Sequence, residues 1–135
     1  MVEIGKPAEN ETKPIMMLTH GYGAGCALFF RVASKLAEHF HLYMFDLIGM
    51  GCSGRPVFTT FTVEECEEYY VESFETLRSR LGIEKFYFAA HSFGGYMAGL
   101  YGLKYPERLI KLALLSPVGL PKKPEDYDYQ KIIDR

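Results

Sequence analysis

The 135-residue sequence predicts an α/β fold in which a mostly parallel sheet carries helices on both faces. Short apolar runs of strand length alternate along the chain with longer segments whose apolar residues recur at helical spacing. The runs are apolar almost throughout, which is typical of strands covered on both faces. Glycine-rich loops follow two of these runs, at the edge where an open α/β sheet places its functional site.

The first half of the chain contains two predicted strands and one helix. Residues 15–18 form a short apolar run that ends in the loop HGYGAG. Apolar side chains then recur at helical spacing over residues 29–40, which predicts a helix. Residues 42–45 form a second buried-type strand that ends before Asp46, and residues 47–61 read as a loop.

The second predicted helix has clear start and stop signals. Thr62 is suited to act as N-cap, and Glu65 three residues later completes a capping box. An apolar stripe continues to Leu81, and Gly82 is a typical residue after a helix end. The many glutamates of this segment predict a solvated face, with acids favoured near the helix start.

The remaining predicted elements complete the alternation. Residues 86–90 form a third strand, and a glycine-rich turn leads into a helix over residues 93–105 that Pro106 ends. Leu109–Leu115 is the fourth apolar strand. Residues 121–135 are polar and contain two prolines before position 125, which indicates a linker or the start of a further element.

The sequence AHSFG places a serine where a strand passes into a helix. Nucleophile elbows have the pattern G-x-S-x-G at such a junction, because the sharp turn needs small residues two before and two after the serine. Gly94 meets this need, and Ala90 is a small substitute. Ser92 would then lie at a helix N-terminus that favours developing negative charge. The alternative is an ordinary turn with Ser92 as N-cap.

A second motif, His20-Gly21-Tyr22-Gly23, directly follows the first predicted strand. In enzymes with a nucleophile elbow this loop contributes one backbone N–H to the oxyanion hole, and the residue after the serine contributes the other. Here those amides belong to Tyr22 and Phe93. The alternative is a glycine turn with a structural histidine, but the two motifs together favour a site.

A third motif resembles a dinucleotide-binding loop. The glycines at positions 49, 51 and 54 follow a strand with the spacing G-x-G-x-x-G. Such a site needs a helix to open at the loop, so that the helix N-terminus meets the pyrophosphate. Arg55 and Pro56 follow instead, and the next predicted helix starts at Thr62, so nucleotide binding is set aside.

Composition excludes several function classes. The net charge of −2 gives no indication of a nucleic-acid binder. The cysteines, Cys26, Cys52 and Cys66, have no metal-ligand spacing and predict reduced thiols in a reducing intracellular compartment, cytoplasmic or mitochondrial. We expect no metal, no cofactor and no transmembrane span, whereas peripheral membrane association remains compatible with the sequence.

Five separated blocks resemble the lipid-acting branch of the α/β-hydrolase superfamily, in order and at similar spacing. They are HGYGAG, FDLIGMGCSGRP, VESFETLR, HSFGGYMAGLYGLKYPERL and LLSPVGLP. This branch includes lysophospholipases, N-acyl-phospholipid lipases, cardiolipin deacylases and the lipid-droplet lipase co-activator. The resemblance implies that residues 1–120 form the N-terminal half of such a domain, without its C-terminal strands, and that residues 121–135 lead towards a lid region. It also implies that MVEI is the end of an earlier strand.

The resemblance assigns roles to individual residues. It makes Ser92 the nucleophile and gives the oxyanion amides to Tyr22 and Phe93. His20 would hold the oxyanion loop, and Asp46 with Arg55 would brace the loop after the second predicted strand. The supporting set predicted around these groups is His20, Gly21, Gly23, His91, Gly94 and Gly95.

A serine nucleophile needs a histidine base within hydrogen-bond reach. The four histidines of the chain, His20, His39, His41 and His91, all precede or adjoin Ser92. His39 and His41 are expected far from the site, and His91 is expected to diverge from Ser92 into the fold. His20 is the one candidate left in the chain. The acids at positions 125, 126, 128 and 134 have no strand end to aim them, so the triad acid and histidine are expected to be missing.

Two functions remain open. The chain is either the nucleophile-bearing part of a serine hydrolase for acyl esters, most simply lipids, completed by another polypeptide, or a catalytically inactive hydrolase-like subunit of an assembly. Both predict a second polypeptide beside the Leu109–Leu115 strand, because its segment LALL lacks the charges and prolines that protect sheet edges. The expected strand order is second, first, third, fourth, with both outer strands uncovered.

Overall fold

The computed structural model describes residues 1–59 and 62–119. The strands of this part of the chain are β1 (Val2–Ile4), β2 (Ile15–Thr19), β3 (His41–Phe45), β4 (Phe86–His91) and β5 (Leu109–Leu115). Its α-helices are α1 (Phe30–His39), α2 (Val63–Arg80) and α3 (Ser92–Lys104). The predicted α/β class is therefore confirmed. The tail predicted for residues 121–135 lies outside the described residues.

The five strands form one mixed sheet in the order β1-β3-β2-β4-β5. The last four of these pair in parallel, as predicted, and β1 pairs antiparallel with β3. The predicted elements shift by only a few residues. The boundary that matters most for the candidate site is the start of α3. This helix begins at Ser92 itself, because β4 continues to His91.

The expectation that β3 is an uncovered outer strand is wrong. Val2, Glu3 and Ile4 pair with Met44, Tyr43 and Leu42, so β1 covers that edge. The Glu3 carboxylate also accepts hydrogen bonds from the side chains of His41 and Tyr43. A three-residue strand is too short to show a periodic pattern, and only the resemblance pointed to it. The described sheet therefore has β5 as its open parallel edge.

The sheet has a different core on each face. Beneath α2 and α3 the core is aromatic and contains Phe45, Phe74, Phe86, Phe88 and Tyr101, all with side chains almost fully buried. Several of these rings meet edge to face, an arrangement that contributes beyond buried area. Beneath α1 the core is smaller and aliphatic, with Leu18, Leu42 and Met44 as its main side chains. The helices thus cover both faces.

The capping box predicted at the start of α2 is present. The Thr62 side chain accepts from the Glu65 N–H, and the Glu65 carboxylate accepts from the Thr62 N–H. Within residues 1–59 and 62–119, no helix combines the length and the apolar character that crossing a membrane requires.

The glutamates of α2 form only part of the solvated face that the sequence predicted: Glu64 and Glu65 are exposed in the first turn, whereas others bond to α3. Four of them accept hydrogen bonds from α3 and its C-terminal end. These bonds join Glu67 to Tyr96, Glu68 to Lys104, Glu72 to Lys104 and Tyr105, and Glu75 to Tyr101. We call this set the acidic ladder. The sequence did not predict these contacts, because side-chain charge alone does not tell which face of a helix meets a neighbouring helix.

Glu75 is the glutamate of the acidic ladder that also pairs with an arginine. Its carboxylate accepts two hydrogen bonds from the Arg78 guanidinium, at 2.6 and 2.8 Å, and one from the Tyr101 hydroxyl at 2.7 Å. The Arg78 bonds, opposed by burial and helped by Tyr101, lower the pKa of Glu75 below its ordinary value. Burial together with the Glu75 hydrogen bond raises the pKa of Tyr101.

We expect Glu75→Gln to lower the free energy of unfolding by about 1–3 kcal/mol at neutral pH, because it leaves the buried Arg78 without its charged partner. The pKa of Glu75 is lower in the folded protein than its ordinary value of 4.5. The stability that the carboxylate contributes is therefore present at a pH above 4.5 and is lost as the pH falls below that value. Urea denaturation at neutral and acidic pH measures both effects. Glu84→Gln, at an exposed position, is the control. Equal urea midpoints for Glu75→Gln and wild type at neutral pH would contradict the expectation.

Candidate active site

Ser92 occupies a sharp turn between β4 and α3. Its φ angle is 53°, in the left-handed region that non-glycine residues rarely adopt and that costs about 1–3 kcal/mol. Its side chain is half-buried, and its carbonyl accepts an N–H from Val118 at 3.3 Å. The segment after β5 is therefore tied to the turn. This geometry raises a hydroxyl at the carboxyl end of a central parallel strand.

The glycines of the two motifs let the turn and the loop after β2 pack backbone against backbone. A methyl group on Gly94 would overlap the carbonyl oxygen of His20. One on Gly21 would lie 2.7 Å from the Ser92 Cβ and 3.2 Å from its Oγ. A methyl group on Gly95 would lie 3.0 Å from the Ala90 carbonyl oxygen, so position 95 is less restricted than position 94. The structure thus brings the two predicted motifs into direct contact.

His20 is fully buried, and both of its ring nitrogens are hydrogen-bonded. The Leu47 N–H donates to Nε2 at 3.1 Å, so Nε2 is an acceptor and Nδ1 carries the proton. Nδ1 then donates to the Gly21 carbonyl at 2.6 Å. His20 therefore joins the loops that follow β2 and β3, as the resemblance implied. Neither nitrogen is left to accept a proton from Ser92.

His91 differs from His20 in having an unpaired ring nitrogen. Its Nδ1 is buried and has no hydrogen-bond partner among the described residues. That nitrogen lies 3.3 Å from the ideal Cβ position of Gly21, the same position that Ser92 Oγ approaches to 3.2 Å. The sequence predicted that His91 turns away from Ser92 into the fold. In the structure, Nδ1 of His91 is buried as predicted, but the side chains of His91 and Ser92 both lie against Gly21.

Tyr22 and Phe93 lie side by side at the mouth of the site. Tyr22 is 81% exposed, and its ring meets Phe93 edge to face at 6.3 Å between centroids. Phe93 also packs edge to face on Tyr70 of α2, at 5.2 Å. The Phe93 N–H lies in the first turn of α3, where amides lack an acceptor within the helix. The convergence of the Tyr22 and Phe93 amides on one oxyanion stays a prediction.

Asp46 organises the loop that follows β3. Its carboxylate accepts N–H bonds from Cys26 at 2.5 Å and from Cys52 at 2.8 Å, and the Ser53 hydroxyl donates to its carbonyl. Burial acts to raise the pKa of Asp46, but these amides outweigh it, so the net pKa lies below the ordinary value. Gly51 has a φ of 52° and passes so close that a Cβ would lie 2.5 Å from the carboxylate. Asp46 thus stays ionised as a brace.

The glycine loop after β3 does not open a helix. Residues 49–59 form turns and irregular backbone, and α2 starts only at Val63. A dinucleotide site would need a helix N-terminus at this point. Arg55 donates instead to the carbonyls of Gly51 and Ser53, so it braces its own loop. Gly23, in the loop after β2, needs glycine for its φ of 69°.

Sequence reasoning missed an open groove beside the turn. It has a volume of about 380 Å³ and runs between the first turns of α2 and α3, with Phe93 as the lining residue next to Ser92. The remaining walls come from residues 58, 62, 63, 66, 67, 96 and 97. The signal lay in the apolar residues at positions 93, 96 and 97, which share one face of α3, but their spacing also fits an ordinary core.

The three cysteines are free thiols, and Cys26 is buried while Cys52 is exposed. Burial first, and then the neighbouring Asp46, raise the pKa of Cys26. Within the described ranges, no group of three or more histidine, cysteine, aspartate or glutamate side chains is arranged to hold a metal ion.

Known proteins place the chain in context. The family model described as alpha/beta hydrolase fold matches residues 14–133. The chain is 40% identical over 118 residues, 87% of its length, to pig 1-acylglycerol-3-phosphate O-acyltransferase ABHD5. It is 38% identical over 120 residues, 89% of its length, to the mouse (lyso)-N-acylphosphatidylethanolamine lipase. It covers 34% of each relative, so it spans about a third of their length.

Solved structures agree on the architecture. The 2-hydroxy-6-oxo-6-phenylhexa-2,4-dienoate hydrolase from Rhodococcus sp. strain RHA1 superposes with a TM-score of 0.74 and 33% sequence identity. The match covers 83% of this chain and 41% of the hydrolase chain.

Two glycines of α3 test the packing between the motifs. We expect Gly94→Ala to lower the free energy of unfolding by about 3 kcal/mol or more, since the methyl would meet backbone atoms that cannot yield cheaply. Gly99→Ala on the same helix is the matched control, because a Cβ there has nothing within 4 Å. It should stabilise the protein by up to about 1 kcal/mol through helix propensity. Urea denaturation measures both; similar stabilities for the two variants would show that the loop and the turn are not tightly packed.

Proposed function

The chain belongs to the alpha/beta hydrolase fold family, and on that premise we propose that Ser92 is the nucleophile of an acyl transfer from lipid esters. The observation that carries the proposal is the left-handed turn at Ser92, packed against Gly21 of the neighbouring loop. That arrangement is what a nucleophile elbow needs, with its hydroxyl next to two loop and helix amides. The lipid class is supported by the two relatives named for acyl-lipid reactions.

The chemistry proceeds through an acyl-serine. Ser92 Oγ attacks the ester carbonyl carbon while its proton passes to a base, and the amides of Tyr22 and Phe93 hold the resulting oxyanion. When the intermediate collapses, the ester C–O bond breaks and the leaving alcohol takes the proton from the base. Water or a second lipid hydroxyl then accepts the acyl group from Ser92. Water makes the protein a hydrolase, and a lipid hydroxyl makes it an acyltransferase.

The base of this reaction comes from outside the described residues. His20 has no free nitrogen, and His39 and His41 lie at the C-terminal end of α1 and the start of β3, away from the carboxyl ends of the strands. The acidic residues of the 121–135 segment lie outside the described residues. We propose that a segment outside the described residues supplies the histidine and the acid beside β5, in the reducing intracellular compartment that the free thiols favour.

The second candidate is a hydrolase-like interaction module without activity. The occupied nitrogens of His20 favour it, because they remove the one histidine that the sequence left as a candidate base. The two readings differ in one respect. A reaction site keeps a pre-formed oxyanion hole and an accessible hydroxyl, whereas a module has no need of either.

Chemical rescue tests the nucleophile. We expect the 135-residue chain to react with a fluorophosphonate probe very slowly, since loss of a triad histidine costs on the order of a millionfold in turnover. Added imidazole should raise the labelling rate in proportion to its concentration, because it replaces the absent base. Ser92→Ala should abolish the labelling, and Ser116→Ala should leave it unchanged. Labelling that does not respond to imidazole would favour the inactive module.

A fast reaction without imidazole would overturn the expectation in another way. The base would then lie within the chain, and His91 would be the residue to test, because its Nδ1 is unpaired and lies against the same glycine as Ser92 Oγ. A fluorophosphonate rate that falls in His91→Gln, with the urea midpoint unchanged, would identify it.

The open edge at β5 predicts association. Lys111 and Ala113 are exposed on this strand, and Leu115 is 41% exposed. We expect the purified chain to self-associate in sedimentation velocity, because an unpaired parallel edge recruits another strand. Ala113→Lys should weaken association by adding a second charge to the edge beside Lys111, whereas Leu103→Lys, at an 82% exposed site on α3, should not. A monodisperse wild-type monomer that melts cooperatively would refute the need for a partner.

A further inference from the structure

The groove beside Ser92 has apolar walls from two helices and a loop. Its apolar lining consists of Phe58, Val63, Cys66, Phe93, Tyr96 and Met97. Met97 is almost fully buried, Cys66 is half-buried, and Val63 is 66% exposed at the rim. The groove is therefore deepest against α3 and opens outward over the first turn of α2.

The direction of the groove follows from helical geometry. Phe93, Tyr96 and Met97 stand at spacings of three and four residues, so they share one face of α3. Phe93 directly follows Ser92 in the chain, and the other two lie one turn further along the helix. One end of the groove is thus at Phe93, next to the Ser92 turn, and the groove continues from there between α2 and α3.

The lining carries little polarity. The Tyr96 hydroxyl donates to the Glu67 carboxylate, so the two polar groups of this wall satisfy each other. Tyr96 then presents its ring to the groove. No lysine, arginine or histidine belongs to the described lining, so the groove has no cation to hold an anionic headgroup. An extended apolar chain fits these walls best, with any charged end of the ligand outside the groove.

We propose that this groove binds the acyl chain of the ester whose carbonyl lies at Ser92, a site that rests on the function proposed above. The volume of about 380 Å³ falls within the roughly 300–1,000 Å³ of small-molecule sites, near the lower end. A medium-length saturated chain is therefore the expected occupant. Methionine and cysteine side chains adapt to chains of varying shape, so the site selects apolar length more than exact structure.

The cysteines provide a direct test on the wild-type chain. Cys66 lies in the groove, and the exposed Cys52 lies in the glycine loop and does not line it. We expect dodecanoate, kept below its critical micelle concentration, to slow maleimide alkylation of Cys66 roughly tenfold at about ten times its Kd. Alkylation of Cys52, followed in the same sample by peptide mass spectrometry, should be unchanged. Butyrate, which is too short to fill the groove, should protect neither thiol.

Each other outcome overturns the inference. Equal slowing at Cys66 and Cys52 would mean general detergent binding, and no slowing at Cys66 would mean an unoccupied groove. A Cys66 that resists alkylation before any ligand is added would mean that another part of the protein, or a second copy, fills the groove.

The same experiment on Ser92→Ala separates the two proposals. Protection of Cys66 should persist in this variant, because acyl-chain binding does not need the hydroxyl. Protection without imidazole-dependent labelling of Ser92 in the wild-type chain would leave the groove intact and reject the nucleophile. Imidazole-dependent labelling of Ser92 without protection of Cys66 would support the nucleophile and reject the acyl-chain groove.

Discussion

The close approach of two backbones, at the His20 carbonyl and Gly94, is the constraint on which the rest of the site depends. A side chain at position 94 would force the loop after β2 away from the start of α3. The turn at Ser92 is strained, and strain of this kind persists only where surrounding structure over-determines it. Gly21 is the second close contact that holds the turn in place, since it lies against the Ser92 side chain itself.

Polar groups then fix the loops that the glycines allow to meet. His20 joins the Gly21 carbonyl to the Leu47 amide, and Asp46 gathers the amides of Cys26 and Cys52. Each of these side chains is buried and spends its hydrogen-bonding capacity on backbone, so neither is available for chemistry. The residues left to act are the half-buried Ser92 and the groups at its mouth. The scaffold thus explains why a buried histidine and aspartate near a serine do not form a triad here.

Local signals in the sequence predicted the fold well, and distant contacts limited the rest. The Thr62–Glu65 capping box and the small residues around Ser92 are local requirements, and both appear in the structure. Strand β1 was indicated only by the resemblance, because three residues carry no period. The groove depends on how α2 and α3 lie together, which no spacing within either helix reveals. The environment of His91 Nδ1 likewise depends on Gly21, about seventy positions away along the chain.

The acidic ladder has a consequence for how such a chain drifts over generations. Each rung joins a carboxylate on α2 to a hydroxyl or ammonium group on α3. Tyr101 is fully buried, so losing Glu75 alone would leave its hydroxyl without a partner, whereas replacing both residues by apolar groups can be nearly neutral. These two positions should therefore change together across descendants, so that a glutamate lost at position 75 is matched by a phenylalanine at position 101. The exposed pairs made by Lys104 are free to change one residue at a time.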